Sequence, residues 1–244
     1  VLVTYKEIPP ILREAVISAE DKDFFNHGGV DPMGIARAAY RDLKGEGVRQ
    51  GGSTITQQYV KQTYLTSEQT ATRKLKEAVM AVKLEQQISK EEILTRYLNT
   101  AYFGRGAYGV QAASRAWFGH DIAGLDAGEA AFLAGLLRSP NGADPYAGPK
   151  SLKEAERRRK VVLDRMVVEG YVTPKEEKLL LAVPMNPMDQ TVPEAERFVR
   201  QRPKASVLGE KVKGSEWGSE YFAEYVRRWM VDQFGRDAVL TGGL

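Results

Sequence analysis

The chain has 244 residues, 43% hydrophobic and 27% charged, and its 35 Lys and Arg against 32 Asp and Glu leave a formal net charge of +3. The length suits about one and a half domains, and the composition excludes a wholly disordered chain, collagen or a disulfide-stapled miniature. The basic excess is too slight to argue for nucleic acid, which is not expected as a partner. It suits work beside anionic lipid or a pyrophosphate without demanding either. There is no cysteine, and His27 and His120 are the only histidines, so thiolate and multi-histidine metal sites are excluded. The longest apolar run, Ala130 to Leu137, has eight residues, too few to span a bilayer. The chain opens on Val1 without a signal-peptide pattern and stops on Gly-Gly-Leu, as expected of a piece of something longer.

Helix follows helix in the pattern. Pro9 and Pro10 open a stretch with Leu12, Ala15, Val16 and Ala19 at helical spacing, which runs into Glu20, Asp21 and Phe24-Phe25. A Gly/Pro-rich turn from His27 to Pro32 precedes an amphipathic segment from Met33 to Leu43. Beyond a glycine-rich loop, Thr54-Ile55-Thr56-Gln57 has the form of a capping box and starts a helix to about Leu65. A long helix over about 72–88 carries Leu75, Val79, Val82 and Gln86 on one stripe. Met80 and Leu84 continue the face of Arg73 and Glu77, so this helix is expected to be covered on both sides. Ser89 to Glu92 forms another capping box, leading to Ile93, Leu94, Tyr97 and Leu98. Further helices are expected at about 110–118, 127–137, 152–168 and 174–181, the last started by Thr173-Pro174 with Glu176. From Pro184 to Ser219 no period holds, which reads as a linker, and a final amphipathic helix is expected over about 219–234. No alternating strand of about six residues is evident. Residues 1–183 therefore read as a mostly α domain.

Chemistry concentrates in three blocks. Glu20-Asp21 ends an apolar helix and runs into aromatics. A carboxylate beside Phe and out of full solvent has a raised pKa and suits general acid or base work; the plainer alternative is a solvated helix end. Gly51-Gly52-Ser53-Thr54 precedes a helix N-terminus, where free amides meet anions. Thr54, Gln58 and Lys61 then fall on one helical face, which suits phosphate or sugar, with a capped polar surface helix as the alternative. The Walker spacing is absent, so this is no nucleotide P-loop. Arg73 and Glu77 stand one turn apart, either as a surface ion pair or beside a drier cleft. Arg157-Arg158-Arg159-Lys160 reads as a solvated helix face, and His120 needs no role.

Taken in order, these blocks resemble the peptidoglycan glycosyltransferases of bacteria, family 51 of the glycosyltransferases. The match runs through Glu20-Asp21-x-x-Phe24-x-x-His27-x-Gly29, Gly52-Ser53-Thr54-Ile55-x-Gln57-Gln58 and Arg73-Lys74-x-x-Glu77. A fourth block, Lys90-x-x-Ile93-Leu94-x-x-Tyr97-x-Asn99, fits as well, as do Tyr102-Phe103-Gly104 and Glu129-Ala130-Ala131 through Pro140. The resemblance covers roughly residues 5–180, and four blocks in order are highly specific. The stretch from Ser219 to Leu244 is similar to the start of the connector in class A penicillin-binding proteins, so 184–244 is expected to be linker and connector. A membrane anchor and a transpeptidase domain would lie outside the chain.

The resemblance implies a lysozyme-like, two-lobed, mostly α glycosyltransferase that polymerises lipid II into β-1,4 glycan strands and releases undecaprenyl pyrophosphate. Glu20 would be the general base. Glu77 would assist the departing pyrophosphate, directly or through a divalent cation, Mg or Mn; no organic cofactor is implied. Ser53, Thr54, Gln57, Gln58, Lys61, Arg73, Lys74 and Asn99 form the expected substrate-binding set, with Asp21, Phe24 and His27 in supporting roles and Asn99 partly structural. Expected partners are lipid II, the growing strand, the membrane surface, which the segment from Met33 to Leu43 would enter, and the cell-wall synthesis machinery. The expected location is the extracytoplasmic face of the bacterial cell membrane. Gln69 departs from the Arg that family members often carry before Arg73, which leaves a phosphate contact to be supplied elsewhere. Two rivals stand beside this reading: a lysozyme-like hydrolase also using Glu20, with closer carboxylates, and a non-catalytic module binding lipid-linked sugar.

Overall fold

The computed structural model describes residues 2–43, 52–64 and 71–183. The linker and the final helix expected beyond Pro184 lie outside them, as does Gln69. Among the described residues there is no strand, only an isolated bridge between Tyr102 and Tyr108.

The helices are α1 (Pro10–Glu20), α2 (Pro32–Leu43), α3 (Ile55–Tyr64), α4 (Ala71–Gln87), α5 (Lys90–Thr100), α6 (Val110–Phe118), α7 (Ala127–Leu136), α8 (Pro149–Val168) and α9 (Pro174–Ala182). The expected helices are present, with ends moved by a residue or two at most positions. The exception is α8, which starts earlier because Pro149 at its first turn presets the helical φ. Local chemistry sets several starts. Thr173 and Glu176 form a reciprocal capping box, as do Asp126 and Glu129, and Ser89 accepts from the Glu92 amide.

Helix α7 is the centre. It is apolar on every side, and every residue from Gly128 to Leu136 is buried. A helix without a polar face must be covered all round, and α1 and α8 pack on it. Gly135 lets α8 come close, since a Cβ there would stand 3.2 Å from the Arg158 Cβ. Leu12, Val16, Ile55, Leu94, Tyr97, Leu98, Trp117, Phe132, Leu163 and Met166 complete a continuous core drawn from α1, α3, α5, α6, α7 and α8. None of the described side chains of α2 belongs to it.

Two expectations are corrected here. Helix α4 is covered on one side only: Glu77 and Ala81 are buried, whereas Leu75, Val79 and Val82 are exposed, Leu75 by 66%. An apolar stripe marks a helix as amphipathic without saying which face is buried, and here a buried carboxylate takes the inner side. The basic run on α8 is also not uniformly solvated. Arg157 is exposed and paired with Glu154, but Arg159 is buried, donates to the Val183 carbonyl at 2.9 Å, and has its pKa lowered to about 10 by desolvation.

Candidate active site

The site is built around the C-terminal end of α1. Glu20 is its last residue. One carboxylate oxygen, Oε2, accepts from Gln58 Nε2 of α3 at 2.8 Å, and the Tyr97 hydroxyl of α5 donates to Gln58 Oε1 at 2.9 Å. The other oxygen, Oε1, is buried with no hydrogen-bond partner among the described residues. Desolvation raises the Glu20 pKa; the Gln58 hydrogen bond and the charges of Arg138, Arg165 and Arg158 oppose it. The carboxyl therefore holds its proton more readily than a free glutamate does.

Asp21 holds the surrounding frame. Its carboxylate accepts from the Ile55 amide at the N-terminus of α3 (3.0 Å) and meets His27 Nε2 at 2.9 Å. An anion at a helix N-terminus gains from the exposed amides and the dipole. Phe24 is buried and lies edge-on to the His27 ring. Behind His27, Lys90 contacts Nδ1 at 3.3 Å, pairs with Glu85 at 2.8 Å and sits over the Phe24 ring. Glu85 also accepts from the Thr56 hydroxyl at 2.5 Å. Buried charges persist only when paired in this way. Gly29 sits with φ +86, and a Cβ there would lie 2.7 Å from the Ala81 and Val82 backbone. Only glycine lets this loop lie on α4.

Across α3 lies the cationic cluster. Lys74 Nζ donates to Ser53 Oγ at 2.7 Å and to Glu77 Oε2 at 3.0 Å. Arg73 forms an ion pair with Glu77 at 3.2 Å. Glu77 is thus buried between two cations, in the drier setting that was one of the two readings of this pair. The Ser53 and Gln58 contacts are five residues apart.

The remaining expected site residues fall elsewhere. Thr54 and Gln57, expected to grip substrate, are buried and cap α3. The Thr54 amide donates to Gln57 Oε1 at 2.9 Å, the Gln57 amide to Thr54 Oγ1 at 3.1 Å, and Thr54 Oγ1 to the Gly29 carbonyl at 2.7 Å. Asn99, also expected among the binding residues, clamps the N-terminal segment: its side chain binds the Val3 amide at 3.0 Å and carbonyl at 2.8 Å. Lys61 is exposed on the last turn of α3. The donor set around Glu77 does not fit a protein-held divalent cation. Its oxygens face Arg73 and Lys74, and no group of three His, Asp or Glu able to hold a metal occurs among the described residues. His120 contacts Glu129 at 3.2 Å, away from these groups.

Sequence reasoning missed Thr56, Glu85, Arg138, Arg158 and Arg165. The seven-residue spacing of Arg158 and Arg165 is the one signal that could have flagged a shared helical face toward α1. Arg165 donates to the Ala19 carbonyl at 2.5 Å, at the negative end of α1.

The family model described as Transglycosylase matches residues 1–167, and the chain belongs to that family. Among named relatives, penicillin-binding protein 1A of Vibrio cholerae is 39% identical over 241 residues, 98% of this chain and 26% of that protein. Penicillin-binding protein 1A of Streptococcus oralis is 42% identical over 195 residues, 79% of this chain and 30% of that protein. The chain thus spans between a quarter and a third of the length of these relatives. A crystal structure of penicillin-binding protein 1A from Haemophilus influenzae aligns with a TM-score of 0.45 at 22% identity, over 98% of this chain and 22% of that one.

Proposed function

We propose that the chain is a peptidoglycan glycosyltransferase that polymerises lipid II and releases undecaprenyl pyrophosphate, with Glu20 as general base. The observation that carries this reading is the pairing of a desolvated carboxylate, one of whose oxygens has no hydrogen bond among the described residues, with a separate cluster of Arg73, Lys74 and Ser53, joined through α3. In the proposed step, Glu20 Oε1 removes the proton of the acceptor 4-hydroxyl as that oxygen bonds to the donor's anomeric carbon. The bond from that carbon to the pyrophosphate oxygen breaks, and the leaving group departs with the electron pair. Its charge meets Arg73 and Lys74, cations already in place before the bond breaks. Glu77 fixes those two side chains.

The synthetic reading is favoured over a hydrolase by the cationic cluster, which a glycan-cleaving enzyme does not need. Membrane contact is part of the proposal. Met33, Ile35 and Tyr40 of α2, and Leu75, Val79 and Val82 of α4, are exposed. Gly29, three residues before α2, lies against the Ala81–Val82 backbone of α4. An apolar surface of this kind suits the lipid boundary from which a lipid-linked sugar is drawn. No helix among the described residues is long and apolar enough to cross a membrane. The location proposed is the outer face of the bacterial cell membrane, with the cell-wall synthesis machinery as partner.

The test is incubation of vesicle-bound protein with labelled lipid II and, separately, with preformed glycan strands. Polymer from the first and intact strands from the second support the proposal. Shortened strands favour the hydrolase, and bound but unreacted lipid II the non-catalytic module.

A further inference from the structure

We propose that Tyr97 is a positioning residue for glycosyl transfer: its hydroxyl fixes the Gln58 amide so that the amide N–H saturates one oxygen of Glu20 and leaves the other as the proton acceptor. The inference rests on the reading of Glu20 as general base.

The geometry is a three-member relay running from α5 through α3 to α1. An amide side chain has a donor end and an acceptor end of nearly the same shape. Gln58 presents its nitrogen to Glu20 Oε2 at 2.8 Å and its oxygen to the Tyr97 hydroxyl at 2.9 Å. Turned the other way, its oxygen would face a carboxylate oxygen, acceptor against acceptor. Tyr97 prevents that turn because its O–H needs an acceptor and the ring is fully buried. Burial, followed by the nearby Glu20 charge, raises the Tyr97 pKa well above 10.0, so the phenol stays a donor throughout the working pH range. The consequence for Glu20 is a division of labour between its oxygens. Oε2 is held by Gln58, while Oε1 is buried with no partner among the described residues. The other charged groups acting on Glu20 are Arg138, just past α7, and Arg158 and Arg165 of α8. They favour the carboxylate but do not choose between its oxygens. That choice belongs to the Tyr97–Gln58 pair.

The experiment is a double-mutant cycle on vesicle-bound protein, following lipid II polymerisation from acid to neutral pH in the parent, Tyr97→Phe, Gln58→Met, the double variant and Glu20→Gln. Tyr97→Phe keeps the buried ring and removes the hydroxyl. It should lower kcat about tenfold while leaving KM for lipid II in place. It should also move the acid limb of the rate profile to higher pH, because a base that loses a hydrogen bond to its charged form becomes harder to ionise. Gln58→Met should do the same, and the double variant should be no slower than Gln58→Met alone, since Tyr97 acts only through Gln58. Multiplying effects, or an unmoved acid limb in Tyr97→Phe, would overturn the relay. If Tyr97→Phe does not fold, an unmoved limb in Gln58→Met overturns it instead. Full activity in Glu20→Gln would remove the general base itself. A dead Glu20→Gln beside an unaffected Tyr97→Phe would remove only the relay.

Discussion

Asp21→Ala is the substitution from which most can be read. The Asp21 carboxylate is buried, accepts from the Ile55 amide at 3.0 Å and meets the His27 ring at 2.9 Å. Removing it orphans a buried amide at a cost of about 1–3 kcal/mol and takes a charged partner from His27, about 1.5–3 kcal/mol more. It also removes an anion from the N-terminus of α3, worth about 0.3–1 kcal/mol. These contributions share one carboxylate and do not simply add, so the expected loss is about 3–4 kcal/mol. At this chain length that lowers the melting temperature by roughly 10 °C. Asp21→Asn retains an acceptor for the Ile55 amide and should lose only about 1–2 kcal/mol. Urea unfolding of the two variants beside the parent gives the answer. A loss below about 1 kcal/mol for Asp21→Ala, or equal losses for both variants, would refute the view that this carboxylate ties α1, the His27 loop and α3 together.

Other substitutions probe other parts of the site. Gly29→Ala should destabilise by about 2–4 kcal/mol, from a strained φ and a Cβ driven into the α4 backbone, and a melting curve like the parent's would contradict the close approach. Leu75→Asp with Val79→Asp should weaken liposome binding at least about tenfold, since each apolar side chain moved into lipid contributes about 1.5 kcal/mol; unchanged flotation would place the membrane face elsewhere. Glu20→Gln should raise stability at neutral pH. The folded-state pKa of Glu20 is raised, so the folded form binds the extra proton and the parent loses stability as pH climbs through and above the ordinary carboxylate range. The gain should vanish below that range, and a gain independent of pH would show that the buried charge is not its source.

Much of the helical frame was legible because its signals are local. The capping boxes at Thr54 and Thr173 are written within four residues, and the eight-residue apolar run, too short to span a bilayer, lies in a buried helix. Of the residues in the sequence blocks, the structure brings Glu20 to Gln58 and Arg73 to Glu77. What was not legible depends on neighbours far along the chain. Periodicity located the apolar stripe of α4 but not that Glu77 would face inward and Leu75 outward. Arg159 looked like its exposed neighbours until α9 brought the Val183 carbonyl against it. Asn99 carries a motif and a clamp at once, and the partner it holds, Val3, lies 96 residues away. Thr56, Glu85 and Lys90 form a half-buried network only because α3, α4 and α5 converge behind His27.

The central claim is that the carboxylate ending α1 removes the acceptor proton while the cations beyond α3 hold the leaving pyrophosphate. Its most direct test is the initial rate of polymer formation by Glu20→Gln at saturating lipid II, beside a measurement of lipid II binding to the same variant. Loss of the general base alone should slow the rate by at least about a hundredfold while binding persists. Polymer formation within tenfold of the parent, with binding intact, would contradict it.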